Sequence, residues 1–229
     1  MTAGICAVVF IAGCVDTSVN PIPKSVDYQS QLKVVNFVSG AGAANLTMNG
    51  KSLGSAAFGA EVPGSSTGFL TVGSGSKSLS TTFGSAAAKT YKFALATDYK
   101  YRVFLVGTAA KNDVYTGAQR YIFQTKDSPG AKNLFLSDTG LVTLFNGSPD
   151  ATLDSVSVDG AAAISLGGVG AGAASKQALK LRTGAHSLRI VCSGTTSVTV
   201  PVTAASKGRY TVAVYDTLAS LKGSVFIDD

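Results

Sequence analysis

A chain of 229 residues with 19 Lys and Arg against 13 Asp and Glu carries a formal charge of +6, yet only 14% of its residues are charged and none is tryptophan. Its cations stand singly, Lys51, Lys77, Lys111 and Lys180 among them, so there is no basic block to make a nucleic-acid footprint, and nucleic acid is not an expected partner. The 26 glycines and long Ser/Thr/Ala/Gly passages, poor in the Glu and Lys that fill helical surfaces, exclude a helical bundle and point to an all-β protein of one large or two small domains.

The first element is an apolar run at residues 5–12, ICAVVFIA. A membrane-crossing helix needs roughly 20 such residues, whereas the apolar centre of a secretory signal needs roughly 7–15 followed by small side chains. Ala12 and Gly13 supply the small side chains, and Ile11-Ala12-Gly13-Cys14 resembles the lipobox of bacterial lipoproteins, whose cysteine is acylated and becomes the mature N-terminus. Cys14 is therefore the candidate lipidation site, although no Lys or Arg precedes it among residues 1–13. Residues 15–31, VDTSVNPIPKSVDYQSQ, hold two prolines and no sustained period, the composition of a solvated tether. An anchor on such a leash places the folded part outside the cytoplasm, in the cell envelope or at its surface.

The remainder is a tandem duplication. "FLTVGSGSKSLSTTF" (residues 69–83) and "ALKLRTGAHSLRIVC" (178–192) align at a constant offset of 109, pairing Leu70 with Leu179, Val72 with Leu181, Gly75 with Gly184 and Leu79 with Leu188. The same offset pairs Tyr101 with Tyr210 and Val103 with Val212. Alternation of period two at Tyr91, Phe93 and Leu95, and at Val198, Val200 and Val202, predicts short antiparallel strands in sandwiches. Asn49-Gly50 and Asp159-Gly160 mark tight hairpins. The expected layout is a signal segment over 1–14, a tether over 15–31, repeats over 32–127 and 132–229 of seven or eight strands each, and a polar linker at 128–131. Leu70, Val72, Leu79, Val103, Leu179, Leu181, Leu188 and Val212 are the expected cores. Cys6 and Cys14 fall in the leader, so Cys192 is the one cysteine of the folded part. Its pairing with Phe83 and its alternation with Leu188 and Ile190 predict a buried, inert thiol.

The order "LFNGSPDATLDSVSVDG" (144–160), "ALKLRTGAHSLRI", then "GRYTVAVYD" (208–216) resembles the bacterial family catalogued as domain of unknown function 4397. Ser148, Pro149, Asp150, Asp159, Gly160, Tyr210, Thr211 and Val212 carry the resemblance, and the first repeat departs from it in lacking Ser-Pro-Asp. The resemblance implies an exported, often repeated, immunoglobulin-like β-sandwich and brings no known activity.

Motifs that could carry chemistry read as turns. Gly64-Ser65-Ser66-Thr67-Gly68 has the G-x-S-x-G spacing, and Asp150 and His186 follow in hydrolase order, but the elbow needs a strand, a sharp turn and a helix, whereas Ser66 sits in a Gly/Ser loop. His186 aligns with Lys77 beside a glycine turn, as a solvent-facing hairpin residue does. Gly168-x-Gly170 leads into an extended strand, not a phosphate-binding helix, and Asp150, Asp154 and Asp159 lack the 1-3-5 order of a calcium loop. Residues 90–104 interleave aromatic and basic side chains. Alternation puts Tyr101 and Val103 on one face and Lys100 and Arg102 on the other. No catalytic residue, cofactor or metal is expected. The expected function is a non-catalytic, lipid-anchored envelope module, with the membrane, another envelope protein or a glycan as partner. The alternatives are a carbohydrate-binding domain and a serine hydrolase.

Overall fold

A computed structural model describes residues 28–119 and 138–228. Cys14, most of the tether and the expected linker lie outside the described residues.

The protein is all-β and sandwich-like. The first repeat forms β1 (Gln29–Ser39), β2 (Ala44–Met48), β3 (Lys51–Ala56), β4 (Glu61–Val62), β5 (Leu70–Gly73), β6 (Gly75–Phe83), β7 (Lys89–Leu95), β8 (Lys100–Thr108) and β9 (Asn112–Gln119). The second forms β10 (Thr139–Gly147), β11 (Leu153–Val158), β12 (Ile164–Val169), β13 (Leu179–Arg182), β14 (Gly184–Cys192), β15 (Thr196–Ala204), β16 (Arg209–Tyr215) and β17 (Lys222–Ile227). One sheet of the first repeat runs β4-β1-β8-β9, with β5 also on β1, and the other runs β3-β2-β6-β7. The second repeat copies the scheme as β13-β10-β16-β17 and β12-β11-β14-β15.

Local chemistry explains the copying. Asn49 and Gly50 take φ of 48° and 79°, and Asp159 and Gly160 take 52° and 76°. Both pairs give the positive φ that a two-residue hairpin demands. Their side chains reach across to the next hairpin: Asn49 Oδ1 accepts from Ser78 N–H at 2.9 Å and Asp159 Oδ1 from Ser187 N–H at 2.8 Å. Asn36 and Asn146 are also matched. Asn36 Nδ2 donates to the carbonyls of Gly42 and Ala56, and Asn146 Nδ2 to those of Ala151 and Val169. Each Oδ1 accepts from the N–H two residues on, so both fully buried amides have partners for their oxygen and their nitrogen. Finally, Tyr101 OH accepts from Ala96 N–H at 2.8 Å and Tyr210 OH from Ala205 N–H at 2.7 Å, bracing the turn before the late strand in each repeat.

One apolar cluster joins Leu32, Val34, Leu46, Leu79, Val103 and Leu105 across the two sheets of the first repeat. A second joins Val142, Leu144, Leu153, Leu188, Ile190 and Val212 across those of the other. Six of the eight expected core residues are buried. Leu70 is 37% exposed and Val72 only half-buried, because β5 is an edge strand with a sheet neighbour on one side alone.

Three further expectations are corrected. β1 runs parallel to β8, and β10 parallel to β16, since alternation reports which face a residue takes and is silent on strand direction. The first repeat has nine strands among the described residues, the extra one being the two-residue β4. β1 also starts at Gln29, inside the expected tether: Ser30 is buried there, its hydroxyl donating to Ala96 O at 2.7 Å and lying 3.0 Å from Ser74 Oγ. A polar sequence hides this strand end because its polar groups are satisfied internally.

Cys192 is fully buried in the second cluster, and burial, with the charge of Asp154, pushes its thiol up to about 11. A thiol reagent should therefore label the native protein far more slowly than the unfolded chain. Cys192→Val should lower unfolding free energy by less than about 1.5 kcal/mol. Cys192→Asp should prevent stable folding, as read by urea denaturation.

Candidate functional site

The face of β8 that carries Arg102, opposite Val103, is covered. β1 and β8 are buried along nearly their whole length, on both faces, because a third cluster packs the outside of this sheet against the outside of β10, β16 and β17. Phe37 stacks on Tyr215 with ring centroids 4.4 Å apart, and Phe104 stacks on Phe145 at 3.9 Å. Phe226 closes the group at 6.0 Å from Phe37. Such contacts exceed simple area burial by roughly 0.5–1.5 kcal/mol per pair. Gly147 is required here, since a Cβ on it would lie 2.6 Å from Phe37 Cδ2.

Beside the rings lies a buried ionic cluster. Lys33 Nζ donates to Glu61 Oε1 at 2.7 Å and to Gly64 O at 3.1 Å. Arg102 Nε donates to Glu61 Oε2 at 3.1 Å, while its Nη1 pairs with Asp228 Oδ1 of the other repeat. Asp228 Oδ2 also accepts from Thr211 at 2.9 Å. All four charged side chains are at most 5% exposed. Two cations and two carboxylates balance, and the Arg102 guanidinium further lies 5.0 Å from the Phe226 ring and 5.5 Å from that of Phe69. A second tie joins Ser39 to Asp216 at 2.6 Å and Lys222 to Asp216 at 3.0 Å. Against the opposing effect of burial, the hydrogen bonds from Ser39, Lys222 and Thr217 N–H hold the Asp216 carboxyl below its ordinary range.

Sequence reasoning missed this junction: alternation put Arg102 with Lys100 on the face opposite Val103 and named nothing that covers it. The signal was present as a single cation inside each of two apolar strands, "LKVVNFV" and "YRVFLVG": a charge there must either leave a sheet face open or find a buried partner.

The predicted candidates do not converge. Ser66 lies in an exposed turn, not on an elbow before a helix. His186 is half-buried rather than solvent-facing: Nδ1 lies 2.7 Å from Asp159 Oδ2 and Nε2 lies 2.7 Å from Arg182 O. Both partners only accept, so the ring satisfies both as the imidazolium, and its pKa is raised first by Asp159 and then by that carbonyl. No ring nitrogen is left for Ser66. Asp150 instead takes Ser148 Oγ and Leu218 N–H, and Asp154 takes Gly194 N–H. The three aspartates thus serve three different turns. The glycine run 167–175 is tied to β10 through Gly172 N–H to Asn146 O at 2.7 Å and leads to β13, with no helix for a phosphate. Cys14, the predicted lipidation site, lies outside the described residues.

No family model matches the chain, and no curated protein matches it either.

Two measurements check these assignments. Glu61→Ala leaves Lys33 and Arg102 buried without their shared carboxylate and should cost about 3–5 kcal/mol in urea unfolding. Combining it with Lys33→Met should cost clearly less than the two single changes added together. For the hairpin pair, His186 has a raised folded pKa, so its stabilisation is fully present below its unfolded value of about 6.5 and is lost as pH rises through the folded one. Asp159, lowered by bonds from His186 and Ser187 N–H, adds stabilisation that is lost as pH falls through its folded value. His186→Gln should flatten the alkaline decline in urea midpoint and leave the region above it unchanged.

Proposed function

We propose that the chain is a non-catalytic, lipid-anchored protein of the cell envelope or cell surface, acting as a structural, adhesive or assembly module. The observation that carries this reading is the short apolar run closing on Ala12-Gly13-Cys14 and followed by a proline-bearing polar stretch. Too short to span, it suits export and acylation at Cys14.

The folded part is read as two immunoglobulin-like sandwiches, residues 32–127 and 132–229, joined at 128–131 and related to the family catalogued as domain of unknown function 4397. Its support is the matched Ser-Pro-Asp and Asp-Gly turns and the paired Tyr101 and Tyr210 hydroxyls, each bonded to backbone a few residues upstream as in the tyrosine corner of such sandwiches. The junction between the repeats suits a spacer. Stacked rings and a closed ion cluster resist bending, so the pair moves as one body on its leash. The polar side chains used within turns, together with a His186 whose nitrogens are both occupied, favour a module that holds position over one that turns over a substrate.

Cys14→Ser should move the protein from the membrane to the soluble fraction and abolish incorporation of labelled fatty acid, because acyl chains contribute about 0.8 kcal/mol per buried methylene. Unchanged membrane retention in that variant rejects the anchor.

A further inference from the structure

The second repeat has a groove where the first is filled by its own chain. β3 and β12 share Ser-Leu-Gly, at Ser52-Leu53-Gly54 and Ser165-Leu166-Gly167, with the same burial pattern. In each, the serine hydroxyl accepts from the glycine N–H, at 3.3 and 3.4 Å. Above the first glycine stands Val62: a Cβ on Gly54 would lie 3.6 Å from Val62 Cγ1, whereas one on Gly167 would meet nothing within 4 Å. Val62 pairs with Val34 of β1. At the matching place beside Leu144 of β10 stands Ser175, its N–H donating to Leu144 O at 2.7 Å and its hydroxyl accepting from Leu144 N–H at 3.1 Å. Residues 63–69 then separate Val62 from β5, while only 176–178 separate Ser175 from β13. The second repeat therefore lacks both the valine and the longer loop.

The space left has a volume of about 500 Å³ and is lined by Ile164, Leu166, Ser175, Lys176, Leu179 and Lys180, among others. Ile164 is 49% exposed at its rim. No carboxylate lines it, and neither lysine is in an ion pair among the described residues. β12 and β13 are both terminal strands of their sheets, so the groove is also bordered by strand edges of the kind that accept an added extended segment.

We propose that this groove binds an extended acidic peptide segment of a partner protein, laying an aliphatic side chain over Gly167, where the first repeat holds Val62, and setting carboxylates against Lys176 and Lys180. The first repeat supplies the template for the aliphatic group, and the two lysines without a lining acid supply the charge preference. The inference does not depend on the anchor at Cys14.

The test is fluorescence anisotropy of the full chain with labelled Glu-Glu-Val-Glu-Glu, against Glu-Glu-Gly-Glu-Glu and Lys-Lys-Val-Lys-Lys as controls. The valine-bearing acidic peptide should bind roughly tenfold more tightly than either control, a difference of about 1.4 kcal/mol. Lys176→Glu with Lys180→Glu should abolish that preference. Ser175→Val, which restores the filling residue, should do so with the charges intact; if this variant melts early, the lysine pair alone decides. Equal binding of the three peptides, or affinity unchanged in the lysine variant, overturns the proposal. So does binding of phosphatidylglycerol vesicles with no binding of peptide, which would assign the lysines to a lipid surface.

Discussion

The packing of Phe37 and Phe104 against Tyr215 and Phe145 is the constraint from which the rest of the structure follows. Once these rings cover the outside of the β1–β8 sheet, that sheet has apolar matter on both faces and no side left for water. Lys33 and Arg102, which belong to these strands, can then be charged only if carboxylates come to them. Glu61 arrives on the short strand β4 and Asp228 from the end of the other repeat. Burial of these charges follows from the aromatic contact, and their pairing keeps that contact from costing several kcal/mol per uncompensated ion.

The two repeats meet through equivalent faces. With Asn36 matched to Asn146, the pairing of β1 with β8 and of β10 with β16 matches Val35 to Phe145, Phe104 to Ala213 and Val106 to Tyr215. Phe37 matches Gly147, and it is against Gly147 that Phe37 packs. Phe37 thus fits over that glycine, while the rings of Phe37 and Phe104 stack on Tyr215 and Phe145. The ions also differ between the repeats: Lys33, Arg102 and Glu61 stand where the second repeat has Thr143, Thr211 and Ala174. The two faces have diverged, the first supplying Lys33, Arg102 and Glu61 and the second answering with Asp228.

Divergence elsewhere leaves the folding scheme alone and changes what is exposed. Phe83 and Cys192 exchange at one position: the ring is half-buried opposite Ala44, and the smaller thiol is fully buried opposite Leu153. Val62 and Ser175 exchange at the seam between two sheets, where the second repeat, with a serine, a single bridge in place of β4 and a shorter loop, leaves a groove. The hairpin asparagine and aspartate, the buried amides of Asn36 and Asn146 and the late-strand tyrosines recur in both repeats, and each hydrogen-bonds backbone groups of its own repeat.

From the sequence alone, the all-β class, the duplication, the hairpins at Asn49-Gly50 and Asp159-Gly160, and the buried thiol of Cys192 could be read. The class and the hairpins rest on composition, local periodicity and turn chemistry, and the duplication and the buried thiol on comparing the chain with itself at an offset of 109. Strand direction could not be read, because side-chain alternation is identical in parallel and antiparallel pairs. Nor could the start of β1, whose buried Ser30 looks like tether until Ala96 and Ser74 are brought beside it. Arg102 shows the limit most plainly. Its alternation with Val103 was legible, but whether the face it occupies meets water or another sheet depends on Phe145, Tyr215 and Asp228, more than forty residues away in the chain. Only the tertiary structure brings those groups together, and with them decides that a basic side chain is interior.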